Sequence, residues 1–339
     1  MNWLSNFIRP KIRSLVEAQK EVPDNLWTKC PSCEGMLFQR DLKERMNTCS
    51  HCGHHLRWPV TERLEILFDG GKYQNLKLPS VPADPLKFKD RKKYVDRLKD
   101  AREETGRDDA MVVGVGQVEG RDIVVAAFDF DFQGGSMGTA VGESIVMAAE
   151  EAVKRKFPLL IIPASGGARM QEGAFSLMQM PRTIIAVQMV KEVGLPYLVL
   201  LTDPTTGGVS ASFAMVGDIH MAEPGAMIGF AGKRVIQETI REALPEGFQT
   251  AEYLVEHGMV DMVVPRDQQR AVIARLIGFL TDKSTGGKVK KGKGDTSISA
   301  RAKAVDTKSR AAGAVASAVV VKMPTRVTPA ATRKKAAHA

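Results

Sequence analysis

Leu159-Leu160-Ile161-Ile162-Pro163-Ala164-Ser165-Gly166-Gly167-Ala168-Arg169 is a short, unbroken apolar run that stops at a proline and a pair of glycines. A continuous run of this length, without polar alternation, reads as a strand buried on both faces. Glycines at its end mark a loop where the backbone approaches something closely. The scheme recurs downstream. Tyr197-Leu198-Val199-Leu200-Leu201 leads into Thr202-Asp203-Pro204-Thr205-Thr206-Gly207-Gly208 and then a small-residue segment over 209–216. A shorter version follows in Ala226-Met227-Ile228-Gly229-Phe230-Ala231-Gly232. Strand, glycines and helix in repetition predict an α/β domain whose active-site loops lie at strand ends.

Upstream, 111–118 and 122–132 are strand-like and joined by a Glu119-Gly120 turn. Gly134-Gly135-Ser136-Met137-Gly138 breaks that pattern before a small-residue helix over 140–157. Another helix is predicted from about 171 to 193, with Pro181 as a kink. Residues 60–110 read as a charged, mainly helical connector with a proline-rich loop at 79–85, and residues 1–25 as a basic amphipathic helix ending near Pro23.

All four cysteines of the chain, Cys30, Cys33, Cys49 and Cys52, fall as Cys-x2-Cys-x15-Cys-x2-Cys. Two such knuckles supply four thiolates to one tetrahedral zinc, the pattern of a zinc ribbon over 26–58. Two disulfides are the rival, but nothing in the sequence indicates an oxidising compartment. Four sulfurs leave no open coordination position, so the zinc is expected to be structural and the chemistry to lie elsewhere. The N-terminus lacks a signal-peptide pattern, and no window approaches the ~18 apolar residues of a membrane span. A cytoplasmic protein is expected.

The formal charge of +9 is unevenly placed. From Ser284 onward thirteen Lys and Arg face two Asp, so the tail carries +11 and the preceding 283 residues −2. A tail of Lys, Ala, Gly, Ser and Thr cannot bury enough surface to fold. It is either a solvated extension or a tether for an acidic partner or nucleic acid.

Gly166-Gly167 and Gly207-Gly208 each follow a strand and precede a helix in this reading. Such pairs either make tight turns or aim consecutive N–H groups at an oxyanion. Both readings stand on the residues alone. No activated nucleophile accompanies them. No cysteine lies outside the ribbon, Ser165 has no visible Asp/His partners, and His220 reads as a packed histidine. That suits a reaction in which the substrate supplies the base. Arg169 is a candidate to hold a phosphate or carboxylate. Lys233-Arg234 is either a second candidate or a solvated pair. No Gly-x-x-x-x-Gly-Lys-Ser/Thr motif indicates ATP.

Taken together, the cysteine ribbon, Gly134-Gly135-Ser136-Met137-Gly138, Ser165-Gly166-Gly167-Ala168-Arg169-Met170-Gln171-Glu172, Pro204-Thr205-Thr206-Gly207-Gly208-Val209-Ser210-Ala211-Ser212 and Ile228-Gly229-Phe230-Ala231-Gly232 resemble the carboxyltransferase β subunits of bacterial-type acetyl-CoA carboxylase. The resemblance covers roughly 25 to 280. It implies a crotonase-like ββα superhelix over 59–283 behind the ribbon. It also implies transfer of CO2 from carboxybiotin, delivered on a carrier protein, to acetyl-CoA, giving malonyl-CoA for fatty-acid biosynthesis. In that chemistry the biotin enolate takes the methyl proton and backbone amides stabilise the thioester enolate.

The site the resemblance implies comprises Gly207 and Gly208 as oxyanion donors and Gly166-Gly167 as a companion loop. Arg169, Gly134, Gly135 and Gly232 line the cofactor side. Implied partners are a separate α subunit in an α2β2 assembly, the biotin carboxyl carrier protein and biotin carboxylase, which uses the ATP. Lys233 stands where the family usually has Pro, and Pro181 lies in a normally continuous helix. The basic tail has no counterpart in the family pattern. Two alternatives are a propionyl-CoA-type carboxylase or decarboxylase half, which generally lacks the ribbon, and a nucleic-acid binder using the ribbon and the basic tail. The ribbon is further expected to roof the entrance to the active site.

Overall fold

The computed structural model describes residues 26–282. The expectations for 1–25 and for the tail at 284–339 lie outside the described residues.

The ribbon opens the described chain. Strand β1 (Trp27–Lys29) pairs antiparallel with β2 (Met36–Phe38), and α1 (Gln39–Glu44) follows. Its apolar interior is small: Cys30, Leu37, Leu42 and Cys49, with Leu56 against them. Then come α2 (Val60–Leu67), the three-residue strand β3 (Tyr73–Asn75) and α3 (Tyr94–Thr105). The sequence reads as a mainly helical connector here; β3 is the addition, too short to show a period.

Strands β4 (Met111–Val118) and β5 (Arg121–Phe128) form a hairpin. Its two turn residues, Glu119 and Gly120, both have positive φ, 50° and 74°. That geometry matches the right-handed twist of the flanking strands. Helix α4 (Thr139–Arg155), β6 (Leu159–Ile162), the four-residue α5 (Ala174–Leu177), α6 (Gln179–Glu192) and β7 (Tyr197–Leu201) follow. The chain continues through β8 (Thr205–Thr206), α7 (Gly207–Ser210), β9 (Ile219–Ala222), β10 (Ile228–Gly229), α8 (Lys233–Ile240), α9 (Ala251–Glu256), β11 (Met262–Val263) and α10 (Arg266–Thr281).

Seven strands make the large sheet, in the order β11-β9-β7-β6-β5-β4-β3. From β5 to β11 neighbours are parallel, and β3 and β4 close the other edge antiparallel. Alternate residues divide between two cores, as the period of two in a strand requires. Val124, Ala126, Leu159, Ile161, Val199 and Leu201 pack with α4 and α6. Val125, Ala127, Leu160, Ile162, Leu198 and Leu200 pack with α2 and α10. Helices on both faces explain the absence of polar alternation in these strands.

A second, smaller layer runs beside the sheet. Met137 bridges Ala168, Ser165 bridges Thr205, and Thr206–Gly229 belongs to the β8–β10 pair, all parallel. Each repeat is therefore a sheet strand, a short strand in the small layer and a helix: β5–Met137–α4, β6–Ser165/Ala168–α6, β7–β8–α7 and β9–β10–α8. This is a four-turn ββα superhelix. The small layer fixes where the glycine loops lie.

The helix expected over 171–193 is two helices after a 3-10 turn at Met170–Glu172. The interruption falls at Gly173 and Met178, ahead of Pro181. Pro181 sits in the first turn of α6, where its missing N–H would have had no intrahelical partner. The small-residue segment at 209–216 is only the end of α7 and a 3-10 turn at Phe213–Met215.

Candidate functional site

The four cysteine sulfurs lie within 4.8 Å of one another, and none is in a disulfide. Cys30 Sγ is 3.8 Å from Cys52 Sγ, and Cys33 Sγ is 3.7 Å from Cys49 Sγ. A tetrahedron with metal–sulfur bonds of about 2.3 Å has edges of about 3.8 Å, so the set fits zinc. The knuckles are formed by the backbone. The Cys30 N–H donates to Gly35 O at 2.9 Å, and the Cys49 N–H donates to His54 O at 2.8 Å. Gly35 is required, since a Cβ there would stand 2.8 Å from His51 Cδ2.

The glycine loops converge at the carboxyl ends of β5, β6 and β7. A Cβ on Gly207 would lie 3.1 Å from Gly167 Cα, and Gly167 (φ 114°) and Gly207 (φ 61°) both adopt backbone that disfavours side chains. A Cβ on Gly135 would lie 1.9 Å from Ala164 O. The loops are stitched by parallel hydrogen bonds: Gly166 N–H to Gly134 O at 3.0 Å, Met137 N–H to Gly167 O at 2.8 Å and Thr206 N–H to Ser165 O at 3.0 Å.

That stitching decides which amides remain for a ligand. The Gly166 N–H is taken by Gly134, and the Gly167 N–H donates to Ser165 Oγ at 3.0 Å. The pair is also not at a helix start, because Ala168 and Arg169 intervene before the 3-10 turn. Gly207 does open a helix, but its N–H donates to Phe230 O at 2.9 Å. Gly208 is next, in the first turn of α7, where an N–H has no carbonyl one turn back to receive it. Gly232 precedes α8 with nothing within 4 Å of a Cβ there. The side chains of Lys233 and Arg234 lie outside the described residues.

Arg169 is turned into the protein interior. It is 1 % exposed, and its donors are spent inside. Nη1 and Nη2 grip Asp109 at 2.9 and 2.6 Å, Nη1 also reaches Tyr94 OH and Glu172 Oε1, Nη2 donates to Ser136 O, and Nε donates to Ser136 Oγ. A ligand-binding arginine was the sequence expectation; the structure gives an anchor. Its partners Asp109 and Tyr94 lie 60 and 75 residues upstream, so no local pattern announces them. His220 is packed as expected, its Nε2 accepting from the Gly217 N–H at 3.0 Å, and burial lowers its pKa.

A second buried network joins the ribbon to the α/β layers. Arg266 on α10 donates to the ribbon carbonyls of Met46, Asn47 and Leu56 at 2.7, 3.1 and 2.7 Å, and also pairs with Glu223 at 2.9 Å. Arg63 and Gln269 complete the shell of Glu223 at 2.7 and 3.1 Å. Burial alone would raise Glu223, but Arg63 and Arg266 hold it well below the usual carboxylate range. Burial, with Arg266 and Arg63 and against the pull of Glu223, lowers the neighbouring His55 to about 4.

The Arg57 guanidinium lies 3.6 Å from the centroid of Phe130, just past β5. A cavity of about 180 Å³ separates the ribbon from the strand ends, lined by Arg57, Trp58, Asp129, Phe130, Asp203 and Glu223 among others. The ribbon therefore covers the carboxyl ends of β5 and β7.

The chain matches the family model of the carboxyl transferase domain over residues 83–309 and that of the acetyl-CoA carboxylase zinc finger domain over 27–52. It is 60% identical over 289 residues to the acetyl-coenzyme A carboxylase carboxyl transferase subunit beta of Granulibacter bethesdensis, covering 85% of this chain and 94% of that one. The Brucella canis protein of the same name is 57% identical over 281 residues, 83% of this chain and 93% of its own. Among solved structures, transcarboxylase 12S with methylmalonyl-coenzyme A and methylmalonic acid bound superposes with a TM-score of 0.54 at 26% identity. That match covers 66% of this chain and 40% of the transcarboxylase chain. A Pseudomonas malonate decarboxylase heterodimer shares the fold at 20% identity and a TM-score of 0.53, covering 80% of this chain and 98% of its own.

Proposed function

This chain belongs to the family of acetyl-CoA carboxylase carboxyl transferase β subunits, and from that premise we propose how its residues carry the reaction. It transfers CO2 from carboxybiotin to acetyl-CoA, forming malonyl-CoA for fatty-acid biosynthesis. The Gly208 N–H is the donor this chain presents to the thioester oxygen as negative charge develops there. The observation that carries this is the emptying of the alternatives: the amides of Gly166, Gly167 and Gly207 are all committed to protein acceptors. Gly207 shapes the approach, and Gly166-Gly167 form the floor against which Gly207 rests. One such donor contributes about 3–4 kcal/mol to a transition state that develops an oxyanion. Proton abstraction needs no base from this chain, in keeping with a platform that carries no activated Ser, Cys or His.

Cys30, Cys33, Cys49 and Cys52 hold a structural zinc, and the ribbon at 26–58 covers one end of the 59–283 domain. The partner completing the site is a carboxyltransferase α subunit. Its support is the outer face of α5 and α6, where Leu177, Met178, Ile185 and Met189 are 56, 62, 63 and 36 % exposed. An apolar stripe of this kind marks a protein interface. The carrier protein and biotin carboxylase supply carboxybiotin, and the complex is cytoplasmic. Among the described residues no helix is long and apolar enough to cross a membrane.

Co-expression with an α subunit and assay of malonyl-CoA formation from carboxybiotin tests the reading. A folded, zinc-loaded complex without turnover would end it. Gly207→Val places a side chain against Gly167 Cα and should lower turnover at least ~100-fold while zinc content and assembly persist. Near-normal turnover would remove the oxyanion assignment. A nucleic-acid role for the ribbon draws on exposed Trp27, its ring tilted against Phe38 at 5.3 Å with Arg40 over the latter. Absence of any RNA or DNA mobility shift at low salt eliminates it.

A further inference from the structure

We propose that Arg169 is a positioning residue for carboxyl transfer, aiming the Gly208 amide through the bridge between Met137 and Ala168. The inference rests on the oxyanion reading above. Four separate segments meet at this one guanidinium. Asp109 comes from the entry to β4, Tyr94 from α3, Ser136 from the loop after β5 and Glu172 from the loop after β6. Glu172 continues the chain of contacts, its Oε2 accepting from the Thr139 N–H at 2.6 Å and from Thr139 Oγ1 at 2.7 Å at the start of α4. Its Oε1 accepts from Tyr94 OH at 2.6 Å. The arrangement needs Gly138, because a Cβ there would stand 2.3 Å from Glu172 Oε1 and 2.9 Å from Arg169 Nη1.

Arg169 also acts through its own backbone. Its N–H donates to Met137 O at 2.9 Å, and Met137 N–H returns a bond to Gly167 O at 2.8 Å. The Met137–Ala168 bridge so fixed is the surface behind the donor. Built on Gly208, a Cβ would lie 3.5 Å from both Ala168 Cβ and Met137 Cε. A planar fork with five donors matches Asp109 and both Ser136 oxygens at once; an ammonium cannot. Burial disfavours the guanidinium charge, but Asp109 more than offsets this and raises the Arg169 pKa. The anchor is therefore charged at every working pH. Displacing an oxyanion donor by a fraction of an ångström is costly in rate, because its worth is realised only in the transition state.

The test compares Arg169→Lys and Asp109→Asn with wild type in the zinc-loaded complex with the α subunit. The expected result is a fall in kcat of at least ~10-fold for Arg169→Lys and a smaller one for Asp109→Asn, with KM for acetyl-CoA within about threefold. Arg169→Ala should regain kcat on addition of guanidinium ion, with KM for acetyl-CoA unmoved. Should either primary variant fail to fold, Glu172→Gln read by the same kcat and KM split decides the matter. Unchanged kcat, or a rise in KM alone, in a folded variant would overturn the inference. Wild type without turnover would instead defeat the reading on which it rests.

Discussion

The ribbon and the glycine platform are both built from tight backbone turns, yet they are held in opposite ways. The ribbon buries only four residues of its own core and depends on a metal to unite its knuckles. The platform's loops are locked instead by inter-loop amide bonds and by a buried arginine. Local cross-linking can be read from spacing, whereas convergence of distant loops cannot. Zinc should thus dominate the stability of one region and leave the other unmoved. Structural zinc binding contributes on the order of 10 kcal/mol to folding of such modules. Cys30→Ala should abolish zinc retention and render residues 26–58 protease-sensitive, while the α/β layers keep a cooperative melt. Elemental analysis with limited proteolysis checks both halves, and a ribbon that stays protected without metal would break the contrast. Unchanged carboxyl transfer in that variant would show the ribbon to be dispensable for catalysis.

The platform's own weak point is steric. Gly135 has φ 62° and no room for a Cβ beside Ala164 O, so Gly135→Ala forces two loops apart. A loss of about 3 kcal/mol or more is expected, seen as a large drop in Tm of the α/β layers without loss of zinc. Gly106 has a similar φ of 66° but open space around it, and Gly106→Ala should cost only about 1 kcal/mol. Equal effects at the two glycines would mean that backbone strain, not packing between loops, sets the platform.

What the sequence disclosed follows the same division. Unbroken apolar runs gave β6 and β7, and four cysteines gave the ribbon, because each signal is contained within a short window. The small layer came only with the family resemblance, because its strands are one or two residues long, too short for any period. Arg169 looked like a ligand holder because an arginine after a glycine pair shows no partner nearby. Glu223 and Arg266 gave no sign at all, because their contacts to Arg63 and to the ribbon carbonyls span 160 and some 210 residues. The chemistry of the glycines was legible as a choice between turn and donor. Only the hydrogen bonds of the neighbouring amides single out Gly208 as the donor proposed above.

The junction between the two regions provides a test of intermediate size. Arg266→Met leaves three ribbon carbonyls without their donor and Glu223 with Arg63 and Gln269 alone. Breaking one partner of a buried charge network costs about 3–5 kcal/mol. Calorimetry should show the ribbon uncoupled from the α/β layers even with zinc bound. A single unshifted transition would mean that the metal alone positions the ribbon.

The smallest expected effect concerns pH at the same junction. In the folded protein His55 titrates near 4, below the ordinary histidine value of about 6.5, because burial beside Arg63 and Arg266 penalises its charge. The unfolded chain therefore takes up the proton first as pH falls. Stability from neutral burial is complete above about pH 6.5 and is lost progressively down to about 4. Glu223, held below the carboxylate range, loses its contribution in the same direction at still lower pH. Between pH 7 and pH 5 the histidine alone should remove about 2 kcal/mol. His55→Phe should flatten that part of the profile, leaving stability at pH 7 nearly unchanged, as denaturant titrations at the two pH values would show. If the acid loss persists in full, the proton enters elsewhere. The metal site would then be the better suspect, because thiolates competing with protons for zinc weaken the ribbon over the same range. Repeating the titration at raised zinc concentration separates the two, since mass action on the metal suppresses the thiolate contribution and leaves that of the histidine.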